Sequence, residues 1–238
     1  MDYGRVKKFW DDRATLYGKI PFESIGNLEQ DPTLVDLKVK LETEKISHWL
    51  GSLKGQNILD LGSGIGQWSF RFALWGAERI VAVDYSSKLT SIAKKEAKRR
   101  KLGGVEFLVS PAESFFAERK FDLIYISGLL IYLSDTQIEN LLGNIKRMCK
   151  AGGRVLVRDG TGLSGRYEIS NVYSEHLDDN YSAIYRTRDE YLSIFAEHGF
   201  GLLADEDMFD DGSPLNKHAE TRLRVYLFSS TDSKSVKG

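Results

Sequence analysis

The chain has a single cysteine, Cys149, which excludes an internal disulfide and suits a reducing compartment. It has no apolar run near the roughly 20 residues of a membrane span. Its opening residues, MDYGRVKKFWDDR, lack the apolar core of a secretory signal. These absences predict a cytoplasmic protein without membrane attachment. Net charge is only −1, so there is no broad pull toward nucleic acid or an anionic surface. No repeat and no low-complexity tract is present, and no Asp/His set stands at metal-ligand spacing, so no metal is expected. What is there is ordinary for a globular α/β protein, with 42% hydrophobic and 28% charged residues. The length, 238 residues, fits one domain with additions.

The most informative stretch is NILDLGSGIGQWS, residues 57–69. Apolar Ile58, Leu59 and Leu61 surround Asp60; Gly62, Gly64 and Gly66 follow, and then a patterned segment long enough for a helix. The reading is strand, glycine turn, helix, with glycines where the backbone takes left-handed angles or a ligand presses on it. A dinucleotide fingerprint needs G-x-G-x-x-G. Here the spacing is G-x-G-x-G, with Gln67 in the place of the third glycine. Asp60 at the mouth of the strand also disfavours a pyrophosphate and favours a cation. In these features the run resembles motif I of the class I S-adenosylmethionine-dependent methyltransferases. The cofactor implied by that resemblance, S-adenosylmethionine, carries an ammonium and a sulfonium and no phosphate, which agrees with the carboxylate.

Downstream residues extend the resemblance. Residues 79–84, RIVAVD, read as a second buried strand ending in Asp84, 24 positions after Asp60. A carboxylate there offers two acceptors to the vicinal hydroxyls of a ribose. Ser86 can cap the next helix, whose terminal Lys/Arg cluster reads as a solvated face. Ala112 and Glu113 follow the third strand, where the family holds an apolar residue and an acid beside the adenine. Residues 121–127, FDLIYIS, run into Gly128, resembling motif IV at Ser127. The cofactor set implied by the resemblance is therefore Asp60, Gly62, Ser63, Gly64, Gly66, Trp68, Asp84, Tyr85, Ser86, Ala112, Glu113, Ser127 and Gly128, joined by Tyr17 from the N-terminal region.

Strands alternate with helices through the middle and two strands close the chain, a doubly wound pattern ending in an antiparallel hairpin. The seven-stranded, Rossmann-like methyltransferase fold has this pattern. Residues 1–50 read as a helical cap, with Leu34, Leu37, Leu41, Trp49 and Leu50 on one helix side. Residues 51–230 form the methyltransferase domain, residues 160–186 a loop-like substrate lid, and residues 231–238 a disordered tail. Methyl transfer needs alignment and, for a hydroxyl or ammonium acceptor, a base. Asp159 at a strand end and His176 in the lid are candidate bases; Tyr132 is a candidate for orienting the acceptor. Arg158 can pair with Asp159 or bind a substrate anion.

A small molecule or sugar methylated on oxygen or nitrogen is the leading substrate class, and a protein amine or side chain the second. Without an N/D-P-P-Y tetrapeptide after the fourth strand, nucleic acid is disfavoured. A nicotinamide oxidoreductase and a non-catalytic S-adenosylmethionine-binding protein are the rivals from other classes.

Overall fold

The computed structural model describes residues 3–27, 29, 31–174 and 179–231. Three helices come first: α1 (Tyr3–Arg13), α2 (Phe22–Ile25) and α3 (Pro32–Leu50). Asp31 caps α3 by accepting the Thr33 amide, with Pro32 at the first helical position. Strands and helices then alternate: β1 (Asn57–Leu61), α4 (Gln67–Leu74), β2 (Arg79–Asp84), α5 (Ser87–Arg99), β3 (Val105–Val109), β4 (Phe121–Ser127), α6 (Asp135–Met148) and β5 (Cys149–Gly162). The chain ends in β6 (Tyr167–Ser174), β7 (Asp179–Thr187), α7 (Arg188–Glu197), β8 (Phe200–Asp207) and β9 (Thr221–Ser230).

Strands β3-β2-β1-β4-β5 are parallel, β9 joins β5 antiparallel, and β8 completes that edge on β9. Side chains on each strand alternate between two packed layers. Leu59, Ile124, Ile126, Val155 and Val157 meet Ile138, Leu141, Leu142 and Ile145 of α6 and Phe195 of α7. Ile58, Leu123, Tyr125 and Leu156 meet Ile46 and Leu50 of α3 and Phe72 of α4 on the other face. Helices on both faces of a mostly parallel sheet make the fold doubly wound.

The sheet has nine strands, two more than the expected seven. The addition is the β6–β7 pair, which occupies most of the stretch expected to be a lid loop. The aromatic and β-branched content of that stretch is strand-forming chemistry. Strand β5 outruns β4, whose pairing stops at Ser127 with Arg158; β7 then pairs parallel with β5 at Thr161 and Gly162.

On α3, Leu50 is buried and Leu41 and Trp49 pack partly buried against the same core, as expected; Val35, Ile46 and a carboxylate, Glu42, are turned inward as well. Of the expected tail, only Thr231 lies within the described residues.

Candidate active site

The glycine turn is fixed by its neighbours in the sheet. Gly62 and Ser63 donate their amides to the Val83 carbonyl at 2.8 and 3.0 Å, and Gly66 donates to Ser63 at 2.8 Å. Gly62, Gly64 and Gly66 all have φ between 53° and 80°, the left-handed region that favours glycine. Their roles differ. A Cβ on Gly64 would meet nothing within 4 Å, whereas one on Gly66 would lie 2.9 Å from the Phe107 ring. Gly66 therefore allows close packing beneath the turn and does not line the cavity above it. Gln67, in the place of a third glycine, donates to the carbonyls of Phe22 and Glu23 at 3.2 and 3.0 Å. It ties the start of α4 to α2.

Asp84 braces the same turn. Its carboxylate accepts the Gly64 amide at 2.9 Å and the Ser86 amide at 2.8 Å. Each oxygen keeps a lone pair for a further donor. Burial pushes Asp84 up to about 6 and Asp60 up to about 7, because a charged carboxylate is costly in a dry wall. Asp60 accepts from Ser69 Oγ at 2.5 Å.

Both aspartates open onto one cavity of about 740 Å³. Ser63, Gly64, Trp68, Tyr85, Ala112, Glu113, Ser127 and Gly128 share its wall with Gly62. The buried Tyr85 hydroxyl has no hydrogen-bond partner among the described residues. On the far side the wall is Trp10, Tyr132, Asp159, Tyr181 and Tyr185. Tyr132 and Tyr181 share a hydroxyl–hydroxyl bond of 3.1 Å, and Trp10 meets Tyr132 edge to face.

Asp159 is fully buried and accepts the amides of Leu130 at 2.6 Å and Gly160 at 2.9 Å. Burial pushes it up to about 6, against the opposing pull of those amides. It thus anchors the loop that carries Tyr132. Arg186, also fully buried, grips that loop from the other side. It donates to the Leu130 and Leu133 carbonyls at 3.0 and 2.8 Å and to Asp135 at 2.6 Å.

Besides Gly66, two expected cofactor residues lie off the cavity wall. The Tyr17 hydroxyl donates to Glu96 at 2.6 Å, which turns it onto α5 and off the cavity wall. Ser86 caps α5 and donates Oγ to Asp11, so its contact with Asp84 is through its amide alone. His176 lies outside the described residues. Arg158 pairs with Glu42 of α3 and not with Asp159, and donates to Ser127 Oγ at 2.9 Å. Sequence reasoning missed Lys38, Glu42 and Trp10 as wall residues. Aromatic clustering near the N-terminus was a signal for Trp10, but a Lys/Glu pair one turn apart on a helix reads as solvated surface. Among the described residues no three His, Cys, Asp or Glu side chains converge to hold a metal ion.

Comparison with known proteins gives the same reading. Residues 58–153 match the sequence profile of a methyltransferase domain. Over this region the chain is similar to the class I S-adenosylmethionine-dependent methyltransferases. Phosphoethanolamine N-methyltransferase 3 of Arabidopsis thaliana is 31% identical over 156 residues, covering 64% of this chain and 30% of that protein. A demethylmenaquinone methyltransferase of Lactococcus lactis is 32% identical over 110 residues, 45% of this chain and 43% of the relative. The chain spans about 30% of the length of the phosphoethanolamine N-methyltransferases it matches. In fold it is similar to phosphoethanolamine N-methyltransferase 1 of Haemonchus contortus, solved with phosphoethanolamine and S-adenosylhomocysteine. The TM-score is 0.75 at 18% identity, over 97% of this chain and 49% of that one. A DhpI complex with S-adenosylhomocysteine has a TM-score of 0.67 at 17% identity, over 96% of both chains.

Proposed function

We propose that this protein is a methyltransferase that binds S-adenosylmethionine along the glycine turn and Asp84, and methylates an oxygen or nitrogen of a small molecule or sugar. The observation that carries the reading is that the Asp60–Asp84 wall and the Tyr132–Asp159 wall face one cavity. The residues present fit the cofactor. Asp84 keeps acceptor capacity for a diol, the orphaned Tyr85 hydroxyl and buried Ala112 border the place for a base, and two buried carboxylates favour a cation.

When bound, the cofactor supplies an electrophilic methyl group on a sulfonium. The chain's own residues do the rest. The turn and Asp84 hold the nucleoside, and the aromatic wall excludes water and restricts the acceptor's orientation. Asp159, poised near neutrality, takes the acceptor's proton; Tyr132 orients the acceptor. In this reading residues 1–50 cap the site, and residues 160–186 wall the acceptor chamber as strands, not as a loop lid.

The relatives bear names of several chemistries: nitrogen in the phosphoethanolamine enzymes, oxygen in an O-methyltransferase of Aspergillus nomiae, carbon in a ubiquinone/menaquinone C-methyltransferase of Francisella tularensis. A chamber lined by Trp10 of α1 and Tyr181 and Tyr185 of β7 supports a small acceptor over a polypeptide. Calorimetry with S-adenosylmethionine, S-adenosylhomocysteine and NAD tests the cofactor; binding of NAD alone would overturn the reading. Asp159→Asn should lower turnover while sparing S-adenosylhomocysteine affinity, and normal turnover would remove Asp159 as the base.

A further inference from the structure

One part of the cavity wall has more positive charge than its carboxylates neutralise. Lys38 of α3 and Arg158 of β5 both line the cavity, close enough that the Arg158 charge disfavours the Lys38 ammonium. Glu42 is engaged by Arg158. The two other acids at hand are also matched: Glu29 with Lys217 at 2.5 Å, and Glu23 with Arg71 at 3.0 Å. Among the described residues no carboxylate lies within ion-pair distance of Lys38, whose ammonium donates to Asn27 Oδ1 at 2.8 Å. An ammonium has three donors, so bracing Asn27 uses one of them. The buried Nε of Arg158 has no hydrogen-bond partner among the described residues either.

An uncompensated buried charge is costly, and so is an unsatisfied buried donor. Here both stand on the wall of one cavity. Burial pushes the Lys38 ammonium down to about 8, against the opposing pull of Glu42 and Glu29, neither of which pairs with it directly. A planar guanidinium beside a compact ammonium suits an oxyanion with several oxygens.

We propose that Lys38 and Arg158 form an anion subsite for the methyl acceptor, so that the substrate carries a phosphate or carboxylate group. This rests on the methyl-transfer reading above. The placement favours the acceptor over the cofactor's own carboxylate. Arg158 lies on β5, three strands from Asp84 on β2, about 14 Å at ordinary spacing, and it lines the same cavity as Asp159. The acceptor would be held by its anion at one end and presented to Asp159 and Tyr132 at the other.

Inorganic phosphate is the probe, titrated by calorimetry into the full chain saturated with S-adenosylhomocysteine. Phosphate should bind the wild type, bind Lys38→Met at least about tenfold more weakly, and bind Lys38→Arg nearly as well as wild type. S-adenosylhomocysteine affinity should stay within about twofold in all three, since no cofactor contact is removed. Equal phosphate binding by Lys38→Met, or none by the loaded wild type, would overturn the proposal. A fall in S-adenosylhomocysteine affinity in Lys38→Met would overturn it differently, by giving the cations to the cofactor's carboxylate. Failure of the wild type to bind S-adenosylhomocysteine at all would instead sink the methyl-transfer reading, and the acceptor's role of the subsite with it.

Discussion

At the scale of single residues, the glycine turn separates stability from binding. Gly66→Ala places a Cβ against Phe107 and Phe70 at a left-handed φ, so it should cost about 2–4 kcal/mol of unfolding free energy. Gly64→Ala meets no atom within 4 Å and should cost only about 1 kcal/mol of backbone strain, yet it faces the cavity and should weaken the cofactor more. Urea melts and S-adenosylhomocysteine titrations of the pair test this; the same ranking in both measurements would show that the two glycines are equivalent. Asp84→Ala removes the proposed diol acceptor and the brace on the Gly64 amide together. It should weaken S-adenosylhomocysteine binding by about 1.5–3 kcal/mol; unchanged affinity would put the ribose elsewhere.

At the scale of elements, the loop from β4 to α6 is held from both sides, by Asp159 through its amides and by Arg186 through its carbonyls. Arg186→Met should leave those carbonyls without their donor and cost about 2–4 kcal/mol. It should also raise the acceptor KM more than it changes cofactor affinity. A variant as stable as wild type would show the clamp to be dispensable. This scale is also where the sequence could be read best. Buried runs and glycine punctuation located β2 and β4 residue for residue and β1, α4 and β3 in order, because each is a short apolar run bounded by turn chemistry. The capping boxes at Ser134 and Thr187 formed as their spacing required. The β6–β7 pair was missed although its partners, from Tyr167 with Tyr185 to Ser174 with Asp179, lie close in sequence: the length of the stretch was read as a loop over its strand-forming content. Glu42, Lys38 and the Arg158 pair were missed for a different reason: nothing in a helix repeat announces which charge a distant strand will turn to meet. Tyr17 was misplaced because its partner, Glu96, is 79 positions away.

At the scale of the whole molecule, three buried carboxylates make stability and ligand affinity respond to pH. Asp60, Asp84 and Asp159 are held at about 7, 6 and 6 by burial, against about 3.9 in an unfolded chain. Between about pH 4 and 7 the ligand-free folded protein keeps protons that the unfolded chain has released. Stability should therefore fall as pH rises through that window and level off above about pH 7. Glu96, held down to about 2 chiefly by its hydrogen bond with Arg99, acts below that range with the opposite sign. A cationic ligand favours the ionised aspartates, so S-adenosylmethionine binding should expel protons and tighten from pH 5 to pH 8. Urea melts across this range and calorimetry in buffers of different ionisation enthalpy check both signs. At one hundred times its dissociation constant, S-adenosylhomocysteine should add about 2.7 kcal/mol of stability, which thermal melts would register.

The β6–β7 pair meets β5 only at Thr161 and Gly162, yet it supplies Tyr181 and Tyr185 to the chamber. The residues proposed to hold the nucleoside, from Asp60 to Gly128, all precede that junction in the chain. Such an attachment behaves as an exchangeable graft: lengthening, shortening or replacing it would redirect which molecule receives the methyl group while the donor's pocket stayed as it is.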